Sequence, residues 1–185
     1  MKGVPLSVLL AGLVAVAMLA LAALAPWVSP TDPTDIGRYD LMLAELPPAF
    51  MADGDPRFPL GTDNQGRDLL SAILYGARVS IAIGGGAVMV ASTVGVLLGL
   101  LAGYMGGLVD TVIMRLGDVI LSLPTILLAL LVSGIARAVF PEAGTVKWAP
   151  VILVAAISIH EWVQYARTVR AATMVEAAKD YVKAA

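Results

Sequence analysis

Apolar residues along this 185-residue chain fall in long blocks separated by polar stretches rich in proline and glycine. Residues 7–27, 79–103 and 119–136 carry no charged side chain, and Leu116, Gly117 and Asp118 extend the third block at its start. As helices rising about 1.5 Å per residue, these blocks have the length needed to cross roughly 30 Å of hydrocarbon. A fourth block, 148–166, is the weakest, because His160 and Glu161 interrupt it after Ile159. The competing reading there is a re-entrant or interfacial segment. The pattern predicts an all-α protein, a polytopic membrane helical bundle. Residues 1–27 form an N-terminal transmembrane helix, 28–78 an outer loop, and 79–185 a partial transmembrane domain. A cleaved leader over the first block is disfavoured, since only Lys2 precedes it and the apolar run exceeds the usual core of such a signal.

The outer loop divides in two. Residues 28–60 hold Pro47-Pro48, Gly54 and Asp55-Pro56, which block long regular elements and favour extended chain with turns. Over 62–78, Leu69, Leu70, Ile73 and Leu74 recur at helical spacing, with Arg67, Asp68 and Arg78 on the polar side or at the ends. This predicts a short amphipathic helix at the outer surface, capped by Thr62 or Asp63 and feeding the second span. Gly61 and Gly66 make no phosphate loop, because no Gly-Lys-Ser/Thr follows them.

Features inside the spans are few and specific. Gly95, Gly99, Gly103 and Gly107 recur every four residues, so they share a helix face where another backbone can approach. Gly84-Gly85-Gly86 predicts local flexibility or a kink. Arg115 and Asp118 stand three apart at the entrance of the third span, where an ion pair would lower the cost of a carboxylate at the edge of hydrocarbon. Pro124 frees a carbonyl and predicts a bend. His160 beside Glu161 is read as buried in the bundle or near a water-filled path rather than as a proton relay. The tail from Arg167 is alanine-rich and helical, mixing Met174, Val175, Ala178 and Val182 with charges, as a surface helix with something to dock against would. The chain stops in mid-pattern at Ala185, so a truncation after the fourth span is expected.

Composition sharpens the class. With 59% hydrophobic and only 14% charged residues, the chain cannot cover a soluble domain. A net charge of −2 gives no electrostatic case for nucleic acid. No cysteine and one histidine exclude disulfides, thiolate metal sites and multi-histidine sites, so no metal and no cofactor is expected. Basic residues are equal on the two sides if Met1 is inside: Lys2, Arg115, Arg167, Arg170, Lys179 and Lys183 against Arg38, Arg57, Arg67, Arg78, Arg137 and Lys147. Their density in the C-terminal tail, against their dilution in a long acidic loop, favours an N-terminus in the cytoplasm.

Four stretches together resemble a known family: PLGTDNQGRDLLSAILYGARVS (59–80), GVLLGLLAGYMGGLVDTVIMRLGDVILSLP (95–124), EWVQYARTVR (161–170) and DYVKAA (180–185). They are similar to inner-membrane permease subunits of bacterial ABC importers for dipeptides, oligopeptides and nickel. The first span and long outer loop resemble the C-type member of the permease pair. The resemblance implies the permease-like (MetI-like) fold, a place in the cell inner membrane, and no enzymatic activity of its own. Its implied partners are a second permease subunit, two cytoplasmic ABC ATPase subunits and a periplasmic substrate-binding protein, within the lipid bilayer. It also implies an ATPase-coupling region spanning Arg167, Arg170, Tyr181, Lys183, Ala184 and Ala185, where Lys183 takes the place of the family's glutamate. Glu176-Ala177-Ala178 spells that coupling motif but lies seven residues early. The rival readings are an ion-coupled secondary transporter, which would show broken spans or embedded charges in both halves, and a membrane scaffold without a transport role.

Overall fold

The computed structural model describes residues 5–33, 35, 40–140 and 146–179. Among the described residues five α-helices follow one another: α1 (Leu6–Val28), α2 (Leu69–Met105), α3 (Gly107–Ser122), α4 (Thr125–Val139) and α5 (Ala149–Ala177), with 3₁₀ turns at Leu41–Leu43 and Val146–Trp148. Helices α1, α2 and α5 are each long and apolar enough to cross a membrane, and α3 with α4 forms a bent pair that passes the same test jointly. The chain divides into two compact units, Met1–Ala82 and Ile83–Ala185.

In the first unit, α1 leaves its leucines and valines exposed and buries only Ala22 and Ala25. That is a helix built for an apolar solvent rather than water. It ends where Ser29, held extended by Pro30, donates its N–H to the Ala25 carbonyl at 2.9 Å. The loop beyond is extended chain with turns, as its prolines predict. The expected caps Thr62 and Asp63 do not start a helix. The Thr62 hydroxyl donates to the Leu43 carbonyl at 2.5 Å and accepts the Leu46 N–H at 2.9 Å. Asp63 accepts the N–H groups of Gln65 and Arg67. Both side chains are thus used to fold the loop back on itself, and Gly66 (φ +73°) completes the turn. The cap is Asp68, whose Oδ2 accepts the Ser71 N–H at 3.0 Å. Helix α2 then continues past Arg78 and through Gly84-Gly85-Gly86 to Met105, so the expected short amphipathic helix is the first part of a 37-residue one.

In the second unit, α2 stops because Gly106 and Gly107 both take positive φ (+60° and +53°). Gly106, at ψ −157°, occupies a region essentially reserved for glycine. Helix α3 begins at once, so the stretch between the second and third charge-free blocks is largely helical. The expected third span is not one bent helix. Leu123 and Pro124 are both extended, and α3 and α4 meet at 99° across them. Pro124 restricts Leu123 to extended backbone, which ends α3 at Ser122. The fourth block is a span-length helix as expected and the least apolar of the three long ones, and α5 runs unbroken for 29 residues through His160 and Glu161.

Candidate functional site

The core of the second unit is Ala91, Trp162, Val163 and Ala166, with Leu98, Ile113, Met114, Ile120, Leu121 and Tyr165 packed around it. Helix α5 supplies most of its buried residues, and α2, α3 and α4 meet along it. Three of the four spaced glycines explain the α2–α5 approach. A Cβ on Gly95 would lie 2.5 Å from both the Trp162 carbonyl oxygen and Tyr165 Cβ. On Gly99 it would lie 2.6 Å from the Ala166 oxygen, and on Gly103 2.7 Å from Thr173 Cβ. Backbone and Cβ atoms of α5 therefore occupy the space those side chains would take. Gly107 does not join them. It belongs to the turn into α3, and nothing lies within 4 Å of its would-be Cβ.

These contacts also fix direction. Stepping along α2 from Gly95 to Gly103 steps along α5 from Trp162 to Thr173, so the two helices run parallel. Helix α3 runs the other way: Asp110 meets Arg170, while a Cβ on Gly117 would fall 2.7 Å from Val163 Cγ1. Two parallel spans joined by a short connection require the chain to recross between them. Among the described residues the bent α3–α4 pair lies between them in the chain, and it passes the length and apolarity test for one span jointly.

Ion pairs close the end of this cluster where α2 finishes and α3 begins. Arg170 grips Asp110 through both Nε and Nη2, with side chains 30% and 18% exposed. Arg167 Nη2 bonds Asp118 Oδ1 at 2.7 Å, with side chains 49% and 51% exposed. The expected Arg115–Asp118 pair is thereby corrected: the carboxylate pairs across helices with Arg167, and Arg115 stands exposed on α3. Arg167 and Arg170, expected in an ATPase-coupling region, each have a partner inside the chain. Tyr181, Lys183, Ala184 and Ala185 lie outside the described residues. Near the 99° break, His160 Nε2 lies 3.4 Å from Thr125 Oγ1, and its Nδ1 is buried with no hydrogen-bond partner. Among the described residues no group of three or more His, Asp or Glu side chains could hold a metal.

The Arg170–Asp110 pair was not foreseen as a pair. Sixty positions separate the two residues, and no local spacing rule links them. Asp68 did leave a signal, as an Asp immediately before the first apolar residue of a helical pattern and three before Ser71.

Known proteins are similar in sequence along most of the chain. The chain is 40% identical over 174 residues to the "Dipeptide transport system permease protein DppC" of Haemophilus influenzae, covering 94% of this chain and 55% of that protein. It is 42% identical over 176 residues to the "Di/tripeptide transport system permease protein DppC" of Pseudomonas aeruginosa, covering 95% and 54%. It is 35% identical over 175 residues to the "Glutathione transport system permease protein GsiD" of Pectobacterium atrosepticum, covering 95% and 52%. The chain thus spans about half the length of the curated relatives it matches. Residues 95–185, which hold the packed glycines, both cross-helix ion pairs and the break at Pro124, match the family described as "Binding-protein-dependent transport system inner membrane component". Through that segment the chain belongs to the inner-membrane permease subunits of binding-protein-dependent importers.

Proposed function

We propose that the chain forms part of the translocation path of an ATP-driven importer of short peptides and breaks no bonds itself. The observation that carries this reading is the family match over 95–185, which coincides with the α2–α5 cluster. Peptides are favoured over nickel because the relatives are named for dipeptides, di/tripeptides and glutathione. The partners in this reading are a second permease subunit, two cytoplasmic ATPases and a periplasmic binding protein.

With the N-terminus in the cytoplasm, α1 leads outward, α2 inward, the α3–α4 pair outward and α5 inward. The cross-helix ion pairs then lie toward the cytoplasm, and the polar segment from Asp53 to Arg78 faces the binding protein. ATP binding on a partner would act on the end of α5, and Arg170–Asp110 and Arg167–Asp118 would transmit that displacement to α3. Such a device switches between packings only if the two states lie within a few kcal/mol of each other. The close approach at Gly95, Gly99 and Gly103 sets the register of α5 along α2.

The test is uptake of a radiolabelled dipeptide and of radiolabelled nickel by cells deleted for the full-length gene, with and without that gene restored. Loss and recovery of dipeptide uptake is the expected result. Recovery of nickel uptake alone reassigns the substrate, and unchanged import of both rejects the reading. Co-purification of an ATPase in detergent separates it from an ion-coupled transporter.

A further inference from the structure

In the first unit, one carboxylate is only half used. Asp68 is 3% exposed, and its Oδ2 accepts both the Ser71 N–H and the Ser71 hydroxyl, which in turn accepts from Thr31. Its Oδ1 is buried with no hydrogen-bond partner. A buried anionic oxygen without a donor is costly, and such groups are rare enough that each calls for a ligand, a water or a role. Asp68 lines a cavity of about 260 Å³, together with Asp40, Arg57, Phe58 and Arg67.

The sign of the missing ligand follows from the charges around that space. Both guanidiniums are engaged by carboxylates that do not line it. Arg57 forks onto Asp55, with Nη2 to Oδ2 at 2.6 Å, and Arg67 Nε bonds Asp63 Oδ2 at 2.6 Å. Among the described residues the carboxylates lining the space are Asp32, Asp40 and Asp68, which then set the sign of what remains and disfavour an anion. The absence of any three-acid or histidine cluster among the described residues argues against a chelated metal ion. The volume equals roughly nine water molecules and falls below the size of ordinary drug-like pockets, so it suits one small group. An ammonium brings three N–H donors and needs no acceptor of its own. Phe58, 8% exposed, offers an apolar wall for a short stem.

We propose that this cavity binds a primary ammonium group, with Asp68 Oδ1 as its principal acceptor and Asp40 at its rim. The inference stands on the first unit alone and does not rest on the permease reading. The probe is ethylammonium chloride, titrated into the full chain in lipid nanodiscs. The readout is the backbone amide resonance of Ser71, whose N–H is bonded to the other oxygen of the same carboxylate. A saturable shift with a Kd on the order of 1–10 mM is expected, with no response to ethanol or acetate. Asp68→Asn keeps a capping side chain and should weaken binding about tenfold, the scale of one charge-assisted hydrogen bond. Asp40→Asn, which leaves the α2 cap untouched, should weaken it severalfold and guards against a folding artefact at position 68. A shift linear up to about 100 mM, meaning that the cavity holds only water, would overturn the proposal. So would an equal response to ethanol, or a Kd unchanged in both variants.

Discussion

Replacing Gly99 by alanine adds one methyl group at the middle of the close backbone approach between α2 and α5. The new Cβ would sit 2.6 Å from the Ala166 carbonyl oxygen and 2.9 Å from Val169 Cβ, whereas ordinary contact begins at 3.4 Å. Neither neighbour is the tip of a flexible side chain, so α5 must retreat by about 0.8 Å. A gap of that size forfeits between about a quarter and a half of the dispersion energy at each displaced contact, including those at Gly95 and Gly103. Overpacking of this kind costs about 1–3 kcal/mol. We expect about 2 kcal/mol, roughly a thirtyfold drop in the folded-to-unfolded ratio. Gly85→Ala is the matched control: nothing lies within 4 Å of its Cβ, and helix propensity favours alanine by up to about 1 kcal/mol. The two variants should therefore move in opposite directions when unfolded by dodecyl sulfate in mixed micelles and followed by circular dichroism. Equal midpoints for Gly99→Ala, Gly85→Ala and the parent would refute the packing argument.

The two cross-helix ion pairs should differ in strength. Double-mutant cycles should return a larger coupling for Asp110 and Arg170, which are joined by a two-point fork, than for the half-exposed Asp118 and Arg167, which are joined through a single bond; equal couplings would contradict the geometry. In the loop before α2, burial pushes the Asp63 carboxyl up, but the Arg67 and Gln65 N–H groups and the Arg67 guanidinium outweigh it and hold the group below its ordinary 3.8. A depressed folded-state value means that this turn contributes full stability above about pH 4 and loses it as pH falls through the lowered value. The Gln65 and Arg67 amide resonances should accordingly titrate with a midpoint below 3.8, and a midpoint at or above it would remove the turn from the account.

Much of the architecture could be read from the chain because lipid makes demands that sequence displays directly. Uncharged runs of span length give α1 and α2, and the four-residue glycine spacing gives the α2–α5 seam from Gly95 to Gly103. Failures occurred where a choice between partners is settled only in three dimensions. Asp118 had Arg115 three residues away, yet Arg167 reaches it from another helix. Thr62 and Asp63 are good caps by type, but the loop claimed their side chains and left Asp68 to start α2. His160 and Glu161 lowered the apolar score of α5, although a helix packed on three neighbours does not require lipid-facing character at every position. At Pro124 the direction of the error was different: a bend was expected, but extended backbone at two successive residues turns a bend into a corner.

The even spacing along the α2–α5 seam has a mechanical consequence. A carbonyl of α5 seated over one glycine meets an equivalent notch after sliding four residues, about 6 Å, whereas the bulkier residues between notches resist any intermediate stop. Sliding along this seam would therefore proceed in detents rather than continuously.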